Sequence, residues 1–215
     1  MFSELLRQTA QKAVRAVPAR CAVCAAWPSE PVCEDCVQRF AQPRPRCRTC
    51  ALCLDAPVAQ CGECLRRPPP LDACFAAVSY GYPWADLVAD FKFGQQPAWA
   101  NTFATLLRSM PWVEPALEQA DIVLPVPLWP ARLVERGFNQ ALQIARALEP
   151  AKTRADLLLR IRDTQTQSTQ GRRERDANLQ GAFAVDPLQS HRVRGRRVVL
   201  VDDVMTSGAS LHAAS

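Results

Sequence analysis

The hydrophobic pattern changes character along the chain. Over the first twenty residues Phe2, Leu5, Leu6, Ala10, Ala13 and Val17 recur at helical spacing, with Glu4, Arg7, Lys12 and Arg15 between them. This predicts a short amphipathic helix over 1–20. From residue 21 to about 70 the periodicity disappears, and Pro28, Pro31, Pro43, Pro45 and Pro57 punctuate polar sequence that has too few large apolar residues to make a core. The stiff, extended "RRPPPLD" at 66–72 follows, and we expect the domain boundary there. Beyond it, apolar runs of strand length alternate with helical patterns: "CFAAVSY" at 74–80, a helical stretch over about 84–108, "DIVLPVPL" at 121–128, a helix over about 137–148, "ADLLLRI" at 155–161 and "RRVVLVDD" at 196–203. Strands alternating with helices imply crossover connections, and so an α/β domain over 71–215 with a mainly parallel sheet covered on both faces. Within it "RVVLV" reads as a strand buried on both faces.

Cysteine spacing explains how residues 21–70 fold without a core. Cys21-x2-Cys24 is followed after eight residues by Cys33-x2-Cys36, and Cys47-x2-Cys50 after ten by Cys61-x2-Cys64. A Cys-x-x-Cys knuckle turns two thiolates to one side of a tight turn, and two knuckles complete a tetrahedral S4 site suited to structural Zn2+, one ion or two. Metal binding then supplies the folding energy that apolar burial lacks. Sequential pairing makes a double zinc ribbon and is the arrangement we favour, whereas an interleaved cross-brace would use the same eight thiols. Cys53 and Cys74 stand outside the pattern, as a spare thiol and a small buried hydrophobe.

Composition adds two constraints. The net charge of +5 is almost all arginine, since Lys12, Lys92 and Lys152 are the only lysines. It suits either a solvated surface or attraction to anions such as phosphorylated ligands and nucleic acid. No apolar run approaches the roughly 20 residues of a membrane helix, and the N-terminus has no compact apolar core of a secretion signal, so we expect a cytoplasmic protein with no membrane insertion.

The stretch "VVLVDDVMTSGAS" at 198–210 carries the candidate chemistry. A strand ending in Asp202 and Asp203 would deliver both acids to the ligand edge of an open sheet. Val204, Met205, Thr206, Ser207 and Gly208 would then turn into a helix whose first N–H groups favour a monophosphate. Thr206 and Ser207 add hydroxyl donors, and Gly208 allows close backbone approach. Two carboxylates beside a phosphate suit ribose hydroxyls and Mg2+ carried by a pyrophosphate. The chain has neither a P-loop nor a G-x-G-x-x-G motif.

This stretch resembles the signature with which type I phosphoribosyltransferases bind 5-phosphoribosyl 1-pyrophosphate (PRPP). Taken with "VLPVPLWPARLVERGFNQA" at 123–141, "TQSTQGRRERDANLQGAF" at 166–183, "DFKFG" at 90–94 and the paired cysteine knuckles, it is similar to the ComF family, the competence protein F and GntX-like phosphoribosyltransferases with an N-terminal double zinc ribbon. The resemblance implies that Asp202 and Asp203 contact ribose hydroxyls and Mg2+ while Val204 to Gly208 cradle the 5-phosphate. It also implies that Pro127 and Leu128 belong to the pyrophosphate loop, with Arg132 and Arg136 nearby, and that Lys92 meets a phosphate. The segment from Arg162 to Asn178 would be a flap bringing Arg175 and Asn178 over the pyrophosphate, so that Asp202, Asp203 and Arg175 form the catalytic set. The activity implied is transfer of a phosphoribosyl group, and the setting is competence, the uptake of DNA. The alternative is a non-catalytic PRPP-fold zinc protein that binds single-stranded DNA or a competence partner, with Trp27, Trp84, Trp99, Trp112 and Trp129 as stacking surfaces. Against the family pattern, Ser215 falls inside the helix expected after the loop, so the C-terminal end of the domain is expected to be missing from this sequence.

Overall fold

The computed structural model describes residues 19–56, 58–164, 179–205 and 208–215. They divide into two compact units, one ending at Gln42 and one running from Pro43 to Ser215. "RRPPPLD" therefore lies inside the second unit, and Cys47, Cys50, Cys61 and Cys64 share that unit with the α/β residues. Most of the helix expected over 1–20 lies outside the described residues.

In the first unit an antiparallel bridge joins Ala19 to Ser29 and closes a turn in which Ala25 takes φ 61°. Helix α1 (Glu34–Phe40) follows Cys33, with Glu34 and Asp35 in the first turn, where the helix dipole favours acids. Among the described residues of this unit the buried side chains are Cys21, Val32 and Cys36. Burial on that scale cannot offset the entropy of ordering the segment, in keeping with a fold that leans on metal.

The second unit opens with an Arg46–Cys53 bridge and helix α2 (Gly62–Arg66), which starts at Cys61. Helices α3 (Trp84–Phe93), α4 (Trp99–Arg108) and α5 (Val113–Gln119) precede strand β1 (Ile122–Pro125). Helices α6 (Pro130–Arg136) and α7 (Gln140–Leu148), strands β2 (Leu158–Arg160), β3 (Phe183–Val185) and β4 (Val198–Val201), and helix α8 (Ala209–Ala214) complete it. β1 and β4 are parallel, in register from Ile122 opposite Val198 to Pro125 opposite Val201, and Thr153 adds a parallel bridge to Val123. β2 and β3 form a separate antiparallel pair. Every residue of β1 is buried. Ile122, Leu124 and Val126 join Leu157, Phe183 and Leu211 in one apolar cluster, while strand alternation turns Val123 to the opposite face, on the side where α7 packs against β1.

Several expected elements differ. Residues 74–80 form no strand: the Cys74 N–H is directed to the Arg48 carbonyl at 2.9 Å, in the cysteine module, and not to a neighbouring strand. The stretch 84–108 is two helices, because α3 closes at Gly94, where a Cβ would sit 2.6 Å from the Asp90 carbonyl oxygen, and Pro97 has no N–H with which to continue. The strand expected over 121–128 stops at Pro125, and the one expected over 155–161 shortens to β2, whose partner is antiparallel. β4 is not buried on both faces: Val198, Val199 and Leu200 are half-buried, since β4 pairs only with β1 among the described residues and its other edge borders a cavity of about 1100 Å3.

The helix expected to begin near 137 starts at Gln140, after an Asn139 cap. Asn139 Oδ1 accepts from the Leu142 N–H at 3.1 Å, and its Nδ2 donates to the Val126 carbonyl at 3.1 Å, so one side chain caps α7 and pins the exit of β1. Asn139→Ala is expected to cost about 1–2 kcal/mol, read as a lower urea midpoint with an unchanged slope. An unchanged midpoint would show that neither bond stabilises the fold.

Candidate functional site

Parallel pairing places two chain exits side by side. β1 leads into Val126, Pro127 and Leu128 and β4 into Asp202 and Asp203, and the Val126 N–H donates to the Val201 carbonyl at 2.9 Å, fixing the distance between them. Ligands of open parallel sheets bind at such carboxyl ends.

Asp203 is paired with Lys92 of α3, Nζ to Oδ1 3.0 Å, and the two side chains are only 11% and 18% exposed. Asp202 accepts from the Asp203 N–H at 2.9 Å. Burial, reinforced by the adjacent Asp203 charge, lifts the Asp202 carboxyl to about 7 even though the Asp203 N–H, Lys92 and Arg136 pull the other way. Arg136 closes α6, with its guanidinium 5.6 Å from the Phe93 ring centre and Nη1 donating to the fully buried Gln140 Oε1 at 3.1 Å. The Gly137 that ends α6 has φ 76°, the left-handed conformation that lets the chain turn into Asn139.

Arg160 of β2 was not among the residues singled out by sequence. Its guanidinium lies 5.3 Å from the Phe183 ring centre and donates to Thr164, and its Nε is buried with no hydrogen-bond partner among the described residues. Burial first, and then the like charges of Arg132 and Arg136, lower its affinity for the proton, against the attraction of Asp163 and Asp202. Arg160 is thus half-buried beside other arginines, with one buried donor unused among the described residues. The one available signal was the alternation of arginine with apolar residues in "LLLRIRD".

Asp202, Asp203, Lys92 and Arg136 therefore meet in one place, with Pro127 and Leu128 at the adjoining exit. Val204 and Met205 are half-buried just beyond them, and Gly208 caps α8 at φ 80°, where an added Cβ would lie 2.9 Å from His212 Nε2. Thr206, Ser207, Arg175 and Asn178 lie outside the described residues. Trp84 and Trp99 are core residues and so offer no stacking surface, whereas Trp27 and Trp112 are 64% and 71% exposed.

The cysteines pair sequentially. Cys21, Cys24, Cys33 and Cys36 form one group and Cys47, Cys50, Cys61 and Cys64 another, with all sulfurs of a group within 4.8 Å of one another. Cys24 and Cys33 Sγ are 3.6 Å apart, and Cys50 and Cys61 Sγ 3.8 Å. Tetrahedral thiolates about 2.3 Å from a metal stand about 3.8 Å apart, so both groups fit a bound ion. Burial opposes ionisation of Cys21, yet the N–H groups of Cys24, Cys33 and Val23 outweigh it and bring that thiol down to about 6. In the same way Cys47 comes down to about 6 under the N–H groups of Cys61, Cys50 and Thr49. Each group thus contains one thiol poised as a thiolate.

A family model of the phosphoribosyl transferase domain matches residues 134–215. Competence protein F of Haemophilus influenzae is 32% identical over 193 residues, covering 86% of this chain and 82% of that protein. The chain belongs to the ComF family. DNA utilization protein YhgH of Salmonella typhimurium is 32% identical over 187 residues, covering 84% of the chain and 80% of that protein. Competence protein ComFC of Bacillus subtilis is 30% identical over 94 residues, covering 44% and 36% respectively. No solved structure matches the chain. This ComF protein accordingly joins a phosphoribosyltransferase-like α/β fold to a Cys-rich N-terminal region with two tetracysteine groups. No helix among the described residues is long and apolar enough to cross a membrane.

The raised Asp202 pKa has a sign that stability can report. A carboxyl that ordinarily titrates near 3.8 and titrates near 7 when folded holds a proton that the unfolded chain has already released, so native stability falls as pH rises across that window. Asp202→Asn removes the titration. In buffer without Mg2+ the variant is expected to gain roughly 1–3 kcal/mol over the parent at pH 8 and almost nothing at pH 4, read by denaturant unfolding. A gain of the same size at both values would assign the effect to something other than the buried charge.

Proposed function

We propose that this ComF protein binds PRPP with Mg2+ through the joined ends of β1 and β4 and acts on it as a phosphoribosyltransferase in the handling of DNA during uptake. The carrying observation is the meeting of Asp202 and Asp203 with Lys92, Arg136 and the neighbouring arginines at that edge. The carboxylates would take the ribose hydroxyls, and Val204 to Gly208 the 5-phosphate. Pro127 and Leu128 would approach the pyrophosphate, with Arg132, Arg136 and Arg160 neutralising it and Arg175 reaching it from the 162–178 segment. Mg2+ would add charge neutralisation at the same oxygens. The chain's own contribution to displacement of pyrophosphate from the anomeric carbon is positioning and electrostatic stabilisation of the leaving group. In the tetracysteine groups the proposed ion is Zn2+, since filled S4 sites are its structural habit.

A second reading is a DNA-binding protein that keeps the fold without the transfer. The names of the relatives, competence and DNA utilization proteins, favour a DNA partner. The two readings separate in one set of titrations. Calorimetry with PRPP and Mg2+ is expected to give saturable binding that weakens at least about 10-fold in Asp203→Asn, as loss of a charged ligand contact does, with affinity for a single-stranded oligonucleotide unchanged. Absence of saturable PRPP binding, together with steeply salt-dependent oligonucleotide binding, would leave the second reading standing.

A further inference from the structure

The two tetracysteine groups have different surroundings. The first lies in the unit that ends at Gln42; the second is built into the unit that carries the acidic loop. Arg48, between Cys47 and Cys50, uses both of its backbone groups to join distant segments. Its N–H donates to the Ala59 carbonyl at 2.9 Å, and its carbonyl accepts from the Cys74 N–H at 2.9 Å. The Cys74 thiol then points at the sulfur of Met205, 3.5 Å away, three residues beyond Asp202. Burial pushes that thiol up to about 11, so it meets Met205 as a neutral, polarisable group suited to a sulfur contact. A second tie runs parallel: Arg46 Nη2 donates to Ser79 Oγ at 3.1 Å, Arg46 Nη1 donates to the Ala51 carbonyl at 3.0 Å, and Cys53 Sγ lies 3.3 Å from Ser79 Oγ. Residues 74–79 are thereby fastened to the knuckle at both ends, and they are the segment against which Met205 rests.

We infer that the second tetracysteine group positions the ligand loop: metal held by Cys47, Cys50, Cys61 and Cys64 fixes Arg48, and Arg48 through Cys74 fixes Met205 and with it Asp202 and Asp203. Cys74 and Met205 act here as positioning residues. Knuckle geometry depends on the metal, because burial at this group is mostly of the cysteines themselves, with Leu54 packed against them. The contact also accounts for residues 74–80 being irregular, since a strand there would withdraw the Cys74 N–H from Arg48. The first group lies in the other unit and takes no part in the Arg48–Cys74–Met205 chain of contacts. The inference rests on the proposed ligand role of Asp202 to Met205 only for its consequence, not for the mechanical link.

Hydrogen exchange on the full chain tests the link without any ligand. Cys74→Ala is expected to keep the full metal content while the amides of Asp203, Val204 and Met205 exchange roughly 10-fold faster. Cys61→Ser with Cys64→Ser is expected to lose one metal equivalent and to loosen the same amides. Cys24→Ser with Cys33→Ser is expected to lose one equivalent and leave them as in the parent. PRPP affinity is expected to fall about 5-fold in Cys74→Ala and to recover on substitution by Met, which restores a sulfur contact. Unchanged exchange in Cys74→Ala overturns the inference, even if the doubly substituted second group fails to fold. Equal loosening by the first-group variant overturns it as well. If no preparation binds PRPP, the functional reading falls while the exchange comparison still decides the link.

Discussion

Two adjacent carboxylates at the end of β4 are the constraint around which the second unit is arranged. Like charges one residue apart repel, and burial strengthens that repulsion while removing the water that would relieve it. The chain answers with cations from elements far apart in sequence: Lys92 from α3 in direct contact with Asp203, and Arg136 from the end of α6 close enough to act on Asp202. Arg160 from β2 feels the same carboxylate. Placing these groups together requires α3 to end where it does, α6 to close at Gly137, and β1 and β4 to be parallel and in register. A shift of one residue in that register would turn Asp202 and Asp203 to opposite faces from those they now occupy and part them from their cations.

Gathering these charges in partly buried surroundings carries a desolvation cost, and Arg160 Nε is buried with no hydrogen-bond partner among the described residues. The positive and negative groups are segregated. Acids occupy the strand end and arginines the surrounding elements, the separation that a ligand with hydroxyls at one end and phosphates at the other would use.

Much of this was legible in the sequence, and the misses have physical causes. The cysteine spacings identified the four knuckles, because a knuckle is a local structure that depends on few distant residues, and they favoured the sequential grouping that the structure has without excluding the interleaved one. β1 and β4 were also readable, since runs of apolar residues leave short-range patterns. Residues 74–80 were not: seven apolar-rich residues look like a strand, but strand formation depends on where the backbone N–H finds its acceptor, and Cys74 finds it in Arg48, 26 positions back. Arg160 was missed for the complementary reason. Its interest comes from lying beside other arginines with its Nε buried, and that tertiary placement has no sequence pattern of its own. β4 read as doubly covered because its composition is that of an interior strand; its half-exposed edge is a fact about neighbours.

Asp202 and Asp203, though adjacent and chemically identical, are not equivalent. Asp203 has a cation in contact and is thereby committed to its ion pair, so its carboxylate is as much a structural tie between β4 and α3 as a ligand group. Asp202 accepts one N–H and feels Lys92 and Arg136 with no ion pair of its own among the described residues, and near neutral pH it stands between its protonated and ionised forms. A divalent cation or a positively polarised hydroxyl arriving at Asp202 would favour the ionised form and release a proton, whereas at Asp203 the same arrival would have to displace or share Lys92. The two acids are thus distinguished by their partners, and the asymmetry arises from one lysine on α3 rather than from any difference between the acids themselves.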